Sequence, residues 1–273
     1  MNSAKYDYID SFQRGLARVQ LNKKWNYIDK QGNLLSNQWF DDCFDFNEGF
    51  AIVILNGSFN FIDEQGNILS EQWFVSCWNF RKGFAVVSLY GKWNFINCYG
   101  HLLNNQWFEW CEDFNDGFAR VQLNDRWNYI DEQGNIISGQ WFDRCFNFKE
   151  GFAAVRISGR WNFIDKQGNI LSKQWFDGCL DFRKGFATVK LNRKWNFINK
   201  QGNIISDQWF DWCNEFYEGF AAVELYDRWD FIDYHGYLLS DQWFDSCSNF
   251  YNGLASISIN GKYKTINAKG EII

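Results

Sequence analysis

The sequence contains no proline, a single methionine at position 1 and only two histidines. His101 and His235 stand at or beside glycine turns and share no partner residue, so a histidine-based catalytic site is not expected. No glycine-rich phosphate loop, nucleophile elbow or zinc-binding pattern is present. These absences predict a protein that is not an enzyme and has no cofactor-binding or metal-binding residues.

Long apolar runs are also missing. No stretch approaches the roughly 18 consecutive apolar residues of a membrane-spanning helix. The first residues, MNSAKYDYIDSF, carry no basic region followed by an apolar run, so no secretory signal is expected. The formal net charge of −6 and the pI of about 5.1 argue against phosphate binding, which needs clustered positive charge. We therefore expect neither a nucleic-acid nor a membrane partner.

Cysteine is present but never clustered. Zinc sites usually contain pairs of cysteines two to four residues apart, and none of the eight cysteines is spaced so. Unpaired thiols without a secretory signal indicate a reducing, cytoplasmic setting. We interpret seven of them as small buried side chains and Cys98, in a turn, as the more exposed thiol. The seven are Cys43, Cys77, Cys111, Cys145, Cys179, Cys213 and Cys247.

Aromatic residues are abundant, with 16 tryptophans and 29 phenylalanines, and they recur at a fixed period of 34 residues. One aromatic series is Trp25, Phe59, Trp93, Trp127, Trp161, Trp195, Trp229 and Tyr263. The repeats framed by this period are 5–38, 39–72, 73–106, 107–140, 141–174, 175–208, 209–242 and 243–273. No linker interrupts them, so residues 1–273 are predicted to form a single repeat domain.

The local pattern within a repeat indicates β-strands. The segment 117–123, GFARVQL, alternates apolar and polar residues, and 126–131, RWNYID, is rich in β-forming aromatics. Asn56–Gly57 and Asn260–Gly261 are strong hairpin signals, and glycine recurs where a turn needs positive φ. The fold class is therefore all-β, with eight tandem 34-residue antiparallel β-meander repeats.

Comparison of the eight copies with one another predicts which faces are buried. Ala51, Val53 and Leu55 recur almost unchanged, whereas the residues between them vary freely. We expect the constant side of this strand to be buried and the variable side to be exposed to water. One repeat cannot bury its own aromatics, so neighbours must cover them.

Two motifs of each copy resemble the bacterial WG-repeat family. The family element W-G-[FY]-I-D-x-x-G matches Trp25, Tyr27, Ile28, Asp29 and Gly32. The element D-F-x-E-G-L-A-x-V matches Asp45, Phe46, Glu48, Gly49, Ala51 and Val53. The resemblance covers essentially the whole chain and implies interaction modules without a shared catalytic site. The sequence departs from the family at the eponymous glycine, which is replaced by Asn26, Asn60, Asn94, Asn128, Asn162 and Asn196.

The sequence is compatible with two arrangements of the repeats. An elongated superhelical β-solenoid-like array is favoured for two reasons. A repeat of 34 residues is short for a propeller blade, and a strand face exposed to water is not expected where one blade packs on the next. The alternative is a closed eight-bladed ring, since WNFIDKQGNILS (161–172) is similar to the blade motif of quinoprotein-like propellers.

The candidate binding surface lies on variable positions that carry large or charged side chains. Its residues are Phe44, Trp78, Trp110, Phe146, Trp212, Arg120, Arg156 and Lys190. Exposed aromatics of this kind are typical of protein-binding hot spots. The aspartates before the glycine turns are instead typical of turn capping.

We therefore predict a cytoplasmic, non-enzymatic scaffold without cofactors that binds a protein or peptide. Carbohydrate binding is the alternative, because tryptophan- and tyrosine-rich hairpins also resemble choline- and glucan-binding cell-wall repeats. A self-assembling structural element is a third possibility.

Overall fold

The computed structural model describes residues 5–273. These residues form strands and turns, and among them no helix is long and apolar enough to cross a membrane. The chain divides into two compact units, Met1–Ile137 and Ser138–Ile273.

Each repeat contributes three strands to a sheet of its own. In the first unit the strands are β1 Tyr8–Ile9, β2 Leu16–Leu21, β3 Lys24–Asp29, β4 Asp42–Cys43, β5 Phe50–Leu55, β6 Ser58–Asp63, β7 Ser76–Cys77, β8 Phe84–Leu89, β9 Lys92–Asn97, β10 Trp110–Cys111, β11 Phe118–Leu123 and β12 Arg126–Asp131. In the second unit they are β13 Arg144–Cys145, β14 Phe152–Ile157, β15 Arg160–Asp165, β16 Gly178–Cys179, β17 Phe186–Leu191, β18 Lys194–Asn199, β19 Trp212–Cys213, β20 Phe220–Leu225, β21 Arg228–Asp233, β22 Ser246–Cys247, β23 Leu254–Ile259 and β24 Lys262–Asn267.

The three strands of a repeat are antiparallel and follow chain order. In repeat 2, Cys43 of β4 lies opposite Val53 of β5, and Val53 lies opposite Asn60 of β6. The same register recurs in the other repeats, which confirms the prediction of antiparallel β-meander repeats. The first strand of each sheet is only two residues long, so each sheet has one short edge.

The hairpin between the second and third strands is the predicted two-residue turn. Asn56 and Gly57 have φ values of 49° and 75°. Positive φ at both central residues is what a type I′ turn requires, and asparagine and glycine adopt it most easily.

The glycine that follows the third strand is fixed by packing between repeats. Gly100 has φ +78°, and a Cβ at this position would lie 1.9 Å from the carbonyl oxygen of Leu69 in the preceding repeat. Gly32 in the first repeat has φ +87°, yet a Cβ there would meet no atom within 4 Å. In the later repeats glycine is therefore required for two reasons: its positive φ, and the close approach of the preceding repeat's backbone, which leaves no room for a Cβ.

Consecutive sheets within a unit pack face to face. Tyr27, on the tryptophan-bearing face of repeat 1, clusters with Cys43, Ala51 and Val53 on the cysteine-bearing face of repeat 2, and each of these residues is at most 1 % exposed. The same arrangement recurs in the second unit. Burying one large side chain in this way contributes about 1.5–3 kcal/mol, which a lone sheet cannot obtain.

The prediction that the variable face of the second strand is exposed to water is wrong. Ile52 lies on the tryptophan-bearing face and packs with Phe80 and Val87 of the following repeat. Stacking of the sheets therefore covers a position that varies among the copies. The residues predicted to be exposed to water but found buried are Ile52, Val86, Ser88, Ala154, Thr188 and Ala222. Since the wet face was a reason for preferring an array to a ring, the choice between the two stays a prediction.

The asparagine that replaces the family glycine is a buried clamp. Asn60 is fully buried, and its Nδ2 donates hydrogen bonds to the carbonyl oxygens of Ser70 at 2.7 Å and Gln72 at 3.2 Å. These carbonyls belong to an irregular segment between two short bridges that pair it with β6. The amide side chain thus satisfies backbone groups that the strand ladder leaves unpaired.

Candidate binding groove and aromatic surface

The predicted surface aromatics lie on or directly after the short first strands. Four of them are partly exposed: Phe44 by 41 %, Trp110 by 39 %, Phe146 by 45 % and Trp212 by 48 %. Trp78 is half-buried. The structure therefore places most of the predicted aromatics at the surface, on the short edge of their sheets.

In the first unit, three tryptophans form one cluster. The ring of Trp78 lies 5.5 Å from that of Trp93 in the same repeat, and Trp110 of the next repeat lies 5.9 Å from Trp78 and 5.7 Å from Trp93. Tilted and edge-to-face contacts at these distances contribute about 0.5–1.5 kcal/mol each beyond area burial. Trp110 thus both stabilises the repeat junction and presents an indole to solvent.

In the second unit the aromatics contact the repeat tryptophans separately. Phe146 stacks on Trp161 at 5.5 Å with an interplanar angle of 18°, and Trp212 meets Trp195 of the preceding repeat edge-on at 5.7 Å. Each exposed aromatic is therefore held in place by a tryptophan beneath it.

The three predicted cations cover tryptophans rather than projecting freely. Arg156 lies 5.7 Å above the ring of Trp161, and Lys190 lies 4.8 Å above that of Trp195. Arg120 lies 5.6 Å above Trp127 and is paired with Glu112. Cation–π contacts at partly exposed sites contribute about 0.5–1 kcal/mol. All three cations are partly exposed, so each covers a tryptophan while it still reaches solvent.

A ladder of ion pairs joins the outer ends of neighbouring sheets. In each pair, the first residue of a third strand contacts the acid just before the next first strand. Each acid also accepts a hydrogen bond from the next hairpin, as Asp211 does from the N–H of Tyr226. The pairs are Lys24–Asp41, Lys92–Glu109, Arg160–Asp177, Lys194–Asp211 and Arg228–Asp245.

Between repeats 2 and 3 this ladder is interrupted. The cation is replaced by Ser58 and the acid by Val75, and Phe59 stands where most repeats carry tryptophan. Val75 is 58 % exposed. Three smaller or uncharged side chains at one junction therefore leave apolar surface uncovered.

An open groove of about 600 Å³ lies at this junction. Phe44, Ile52, Phe59 and Trp78 form its apolar part, and Trp78 connects it to the tryptophan cluster. Polar groups stand at one side, where Arg81 is paired with Asp113 at 3.0 Å. The remaining lining residues are Cys77 and Asn79. The groove brings together two predicted surface residues, Phe44 and Trp78.

Sequence reasoning missed Ser58, Phe59 and Val75. The available signal was the comparison of the copies at the cation and acid positions, where repeats 2 and 3 alone among the internal junctions lose both charges. The predicted surface consists of large variable side chains, whereas this junction differs from the others by smaller or uncharged ones.

The remaining candidate groups have structural roles. Burial raises the pKa of the Cys77 thiol to about 12, whereas Cys98 is exposed. Oδ1 of Asp29 accepts hydrogen bonds from the N–H groups of Gln31 and Asn33, the turn-capping role predicted for it. Over residues 5–273, no group of three or more histidine, cysteine or acidic side chains is arranged to hold a metal ion.

Comparison with solved structures gives distant likenesses. Hsv2p of Kluyveromyces lactis is 11 % identical, with 96 % of this chain and 93 % of that chain covered and a TM-score of 0.32. Apo AztD from Citrobacter koseri is 10 % identical, with 97 % and 92 % covered and a TM-score of 0.32. A eukaryotic initiation factor is 9 % identical, with 98 % and 89 % covered and a TM-score of 0.38.

No curated protein matches the chain. A family model described as WG containing repeat does match it, at residues 3–25, 27–58, 61–93, 108–127, 129–161, 163–195, 197–229 and 244–263. These segments make up well over half of the sequence and repeat with its 34-residue period, so the chain belongs to the WG-containing-repeat family.

Proposed function

We propose that this chain is a non-enzymatic binding scaffold that holds an extended peptide segment of a partner protein in the groove between repeats 2 and 3. The observation that carries the proposal is the groove of about 600 Å³ lined by Phe44, Phe59 and Trp78, at the repeat junction where the ion-pair ladder is interrupted. A cytoplasmic location is proposed with it and rests on the sequence alone.

The groove has the composition of a binding hot spot. Aromatic side chains at the centre of an interface account for much of its affinity, and Phe44 and Trp78 are both aromatic and partly accessible. Trp78 is held by two other tryptophans, so little side-chain entropy is lost when a ligand packs on it.

The test is selection of peptides followed by variant binding. A phage-displayed library of random peptides is selected on the wild-type chain, and the selected peptides are titrated against Trp78→Ala and against S58K/F59W/V75D. The triple variant introduces residues that other repeats carry, so it should fold. It enlarges the one changed residue that lines the groove, Phe59, and introduces the ion pair that the other junctions carry. Leu180→Ala is the control, because Leu180 is 55 % exposed at the position equivalent to Phe44 in repeat 6.

We expect Trp78→Ala and the triple variant to weaken binding at least about tenfold, the effect of losing one hot-spot side chain. Leu180→Ala should bind like the wild type. Selected peptides that bind the triple variant as tightly as the wild type would contradict the proposal.

Carbohydrate binding is the second candidate. It is favoured by one observation: Asn79, Arg81 and Asp113 place hydrogen-bonding groups beside the indole of Trp78 in the same groove. A glycan array is the discriminating measurement. Glycan binding that Trp78→Ala abolishes, together with no selected peptide, would favour this candidate over the first.

A further inference from the structure

One repeat departs from the asparagine clamp. In five repeats whose contacts lie within one unit, the asparagine Nδ2 donates to two carbonyl oxygens, ten and twelve residues further along the chain. In repeat 6, for example, Asn196 donates to Ser206 at 2.8 Å and Gln208 at 2.9 Å. The five asparagines are Asn26, Asn60, Asn94, Asn162 and Asn196.

Repeat 7 carries Asp230 at this position. The side chain is fully buried, as the asparagines are. One carboxyl oxygen accepts a hydrogen bond from the N–H of Phe231 at 2.7 Å, as the asparagine Oδ1 does elsewhere. The other oxygen, Oδ2, stands in place of the donating amide and has no hydrogen-bond partner.

The ionised form of Asp230 does not fit this position. A carboxylate has no hydrogen to donate, whereas the equivalent carbonyls, those of Ser240 and Gln242, are acceptors. Two acceptors near a buried negative charge are unfavourable, and a buried charged group without a hydrogen-bond partner destabilises the fold. A protonated carboxyl has one O–H and can replace part of the lost clamp.

The charged surroundings also favour the neutral acid. The titratable groups that interact with Asp230 are Asp241, on the segment it faces, and the thiol of Cys247, on the first strand of repeat 8. The negative charge of Asp241 disfavours a second negative charge on Asp230. No lysine or arginine of the described chain forms an ion pair with Asp230. Burial is the main cause that raises its pKa from 3.8 to about 7, and it outweighs the hydrogen bonds from the backbone N–H groups of Phe231 and Ser240, which lower the pKa.

We propose that Asp230 is a proton-dependent clamp: when protonated it holds the segment 240–244, and when ionised it releases this segment and weakens the junction between repeats 7 and 8. The segment leads directly into the first strand of repeat 8. Phe244, at its end, exchanges backbone hydrogen bonds with Trp229 and packs with Phe231 in the core of that junction. Release of the segment 240–244 is therefore expected to loosen the packing of repeat 8 against repeat 7.

The direction of the pH effect follows from the raised pKa. The folded chain binds a proton at Asp230 that the unfolded chain has already released, so stability is complete below the ordinary value of 3.8 and falls as pH rises towards about 7. Above that value both states are ionised and the loss is constant. In the folded state itself, release of the clamp occurs around neutral pH.

Hydrogen exchange of the intact chain tests the proposal. Protection of amides 239–245 is measured in the wild type and in Asp230→Asn, and the ratio of the two at each pH removes the intrinsic pH dependence of exchange. We expect similar protection near pH 5.5 and protection at least about tenfold lower in the wild type near pH 8.5, the change from a neutral to an ionised carboxyl. Asp230→Asn should fold, because the other clamps are asparagines.

Two further variants make the outcome decisive. Asn196→Asp should transfer the same pH dependence to amides 205–211 at the junction of repeats 6 and 7. Asp233→Asn, which removes a partly exposed turn carboxylate close by, should leave the behaviour of Asp230 unchanged. A wild-type to Asp230→Asn ratio that does not change with pH would overturn the proposal. So would a ¹³C-carboxyl titration of Asp230 with a midpoint near the ordinary aspartate value.

Discussion

The indole of Trp110 lies 5.9 Å from the indole of Trp78 in the preceding repeat, at an interplanar angle of 70°. Both rings also contact Trp93, which supports them from below. The same side chains therefore join two repeats and form part of the proposed binding surface. Mutations of these tryptophans are therefore expected to affect folding and binding to different degrees.

Trp93→Ala should destabilise the chain more than Trp110→Ala. Trp93 supports two rings, so its removal creates a cavity and should cost about 3 kcal/mol, whereas the partly exposed Trp110 should cost about 1 kcal/mol. Urea unfolding of the two variants measures the difference. Equal losses would mean that the cluster is not a packing unit.

Gly100→Ala should be much more harmful than Gly32→Ala. Both glycines have positive φ, which alone costs alanine about 1–3 kcal/mol. At Gly100 the new methyl would also lie 1.9 Å from the carbonyl oxygen of Leu69, so the two repeats must separate. Thermal unfolding should show a clearly larger fall in Tm for Gly100→Ala. Indistinguishable Tm values would contradict the close approach of repeats 2 and 3.

Asn60→Gly should destabilise the protein although it restores the residue typical of the family. The change removes both hydrogen bonds to Ser70 and Gln72 and leaves two carbonyls unpaired, a cost of about 2–3 kcal/mol. Asn67→Gly on the surface turn serves as a control for the added backbone freedom. Chemical denaturation that ranks the two variants in the opposite order would argue against the clamp.

Acid should weaken the ion-pair ladder. The hydrogen bond from Lys194 is the main cause that lowers the pKa of Asp211, and the hydrogen bond from Lys24 acts in the same way on Asp41. A lowered folded pKa gives stability that is complete above the ordinary value of 3.8 and is lost as pH falls through the folded value.

The measurement is the urea midpoint as a function of pH. We expect Lys194→Met to reduce the loss of stability in acid relative to the wild type, and Lys173→Met, at an exposed lysine, to leave it unchanged. High salt should reduce the difference, since these pairs are accessible to solvent. Identical acid profiles for the two variants would show that the ladder contributes nothing to stability.

Much of the fold could be predicted from the sequence because the period, the hairpins and the turn glycines are local signals. Asn56–Gly57 predicted a turn that the structure contains. The faces of the second strand were harder to predict, because a position that varies among the copies can still be covered by a neighbouring repeat. Within a unit, variable positions instead match their cross-strand neighbours: Arg120 is paired with Glu112, and Arg18 with Asp10. Pairwise compensation lets a covered position vary.

The candidate site was predictable only in part. Phe44 and Trp78 were identified because they are large and variable, and the structure places both at one groove. Phe59 and Val75 were not identified. Most other copies carry the larger tryptophan at the first position and a charged acid at the second, so these two residues differ by what they lack. The clamp at Asp230 differs from its equivalents by one atom type, and only the buried hydrogen bonds of the other repeats show its consequence.

The central claim is that each repeat lacks an interior of its own and obtains one from its neighbours within a unit. Urea unfolding of a truncation series, from the isolated repeat 73–106 through two, three and four consecutive repeats, tests this claim most directly. We expect the isolated repeat to be unfolded and the unfolding free energy to rise with each repeat added. Cooperative unfolding of the single 34-residue segment would contradict it.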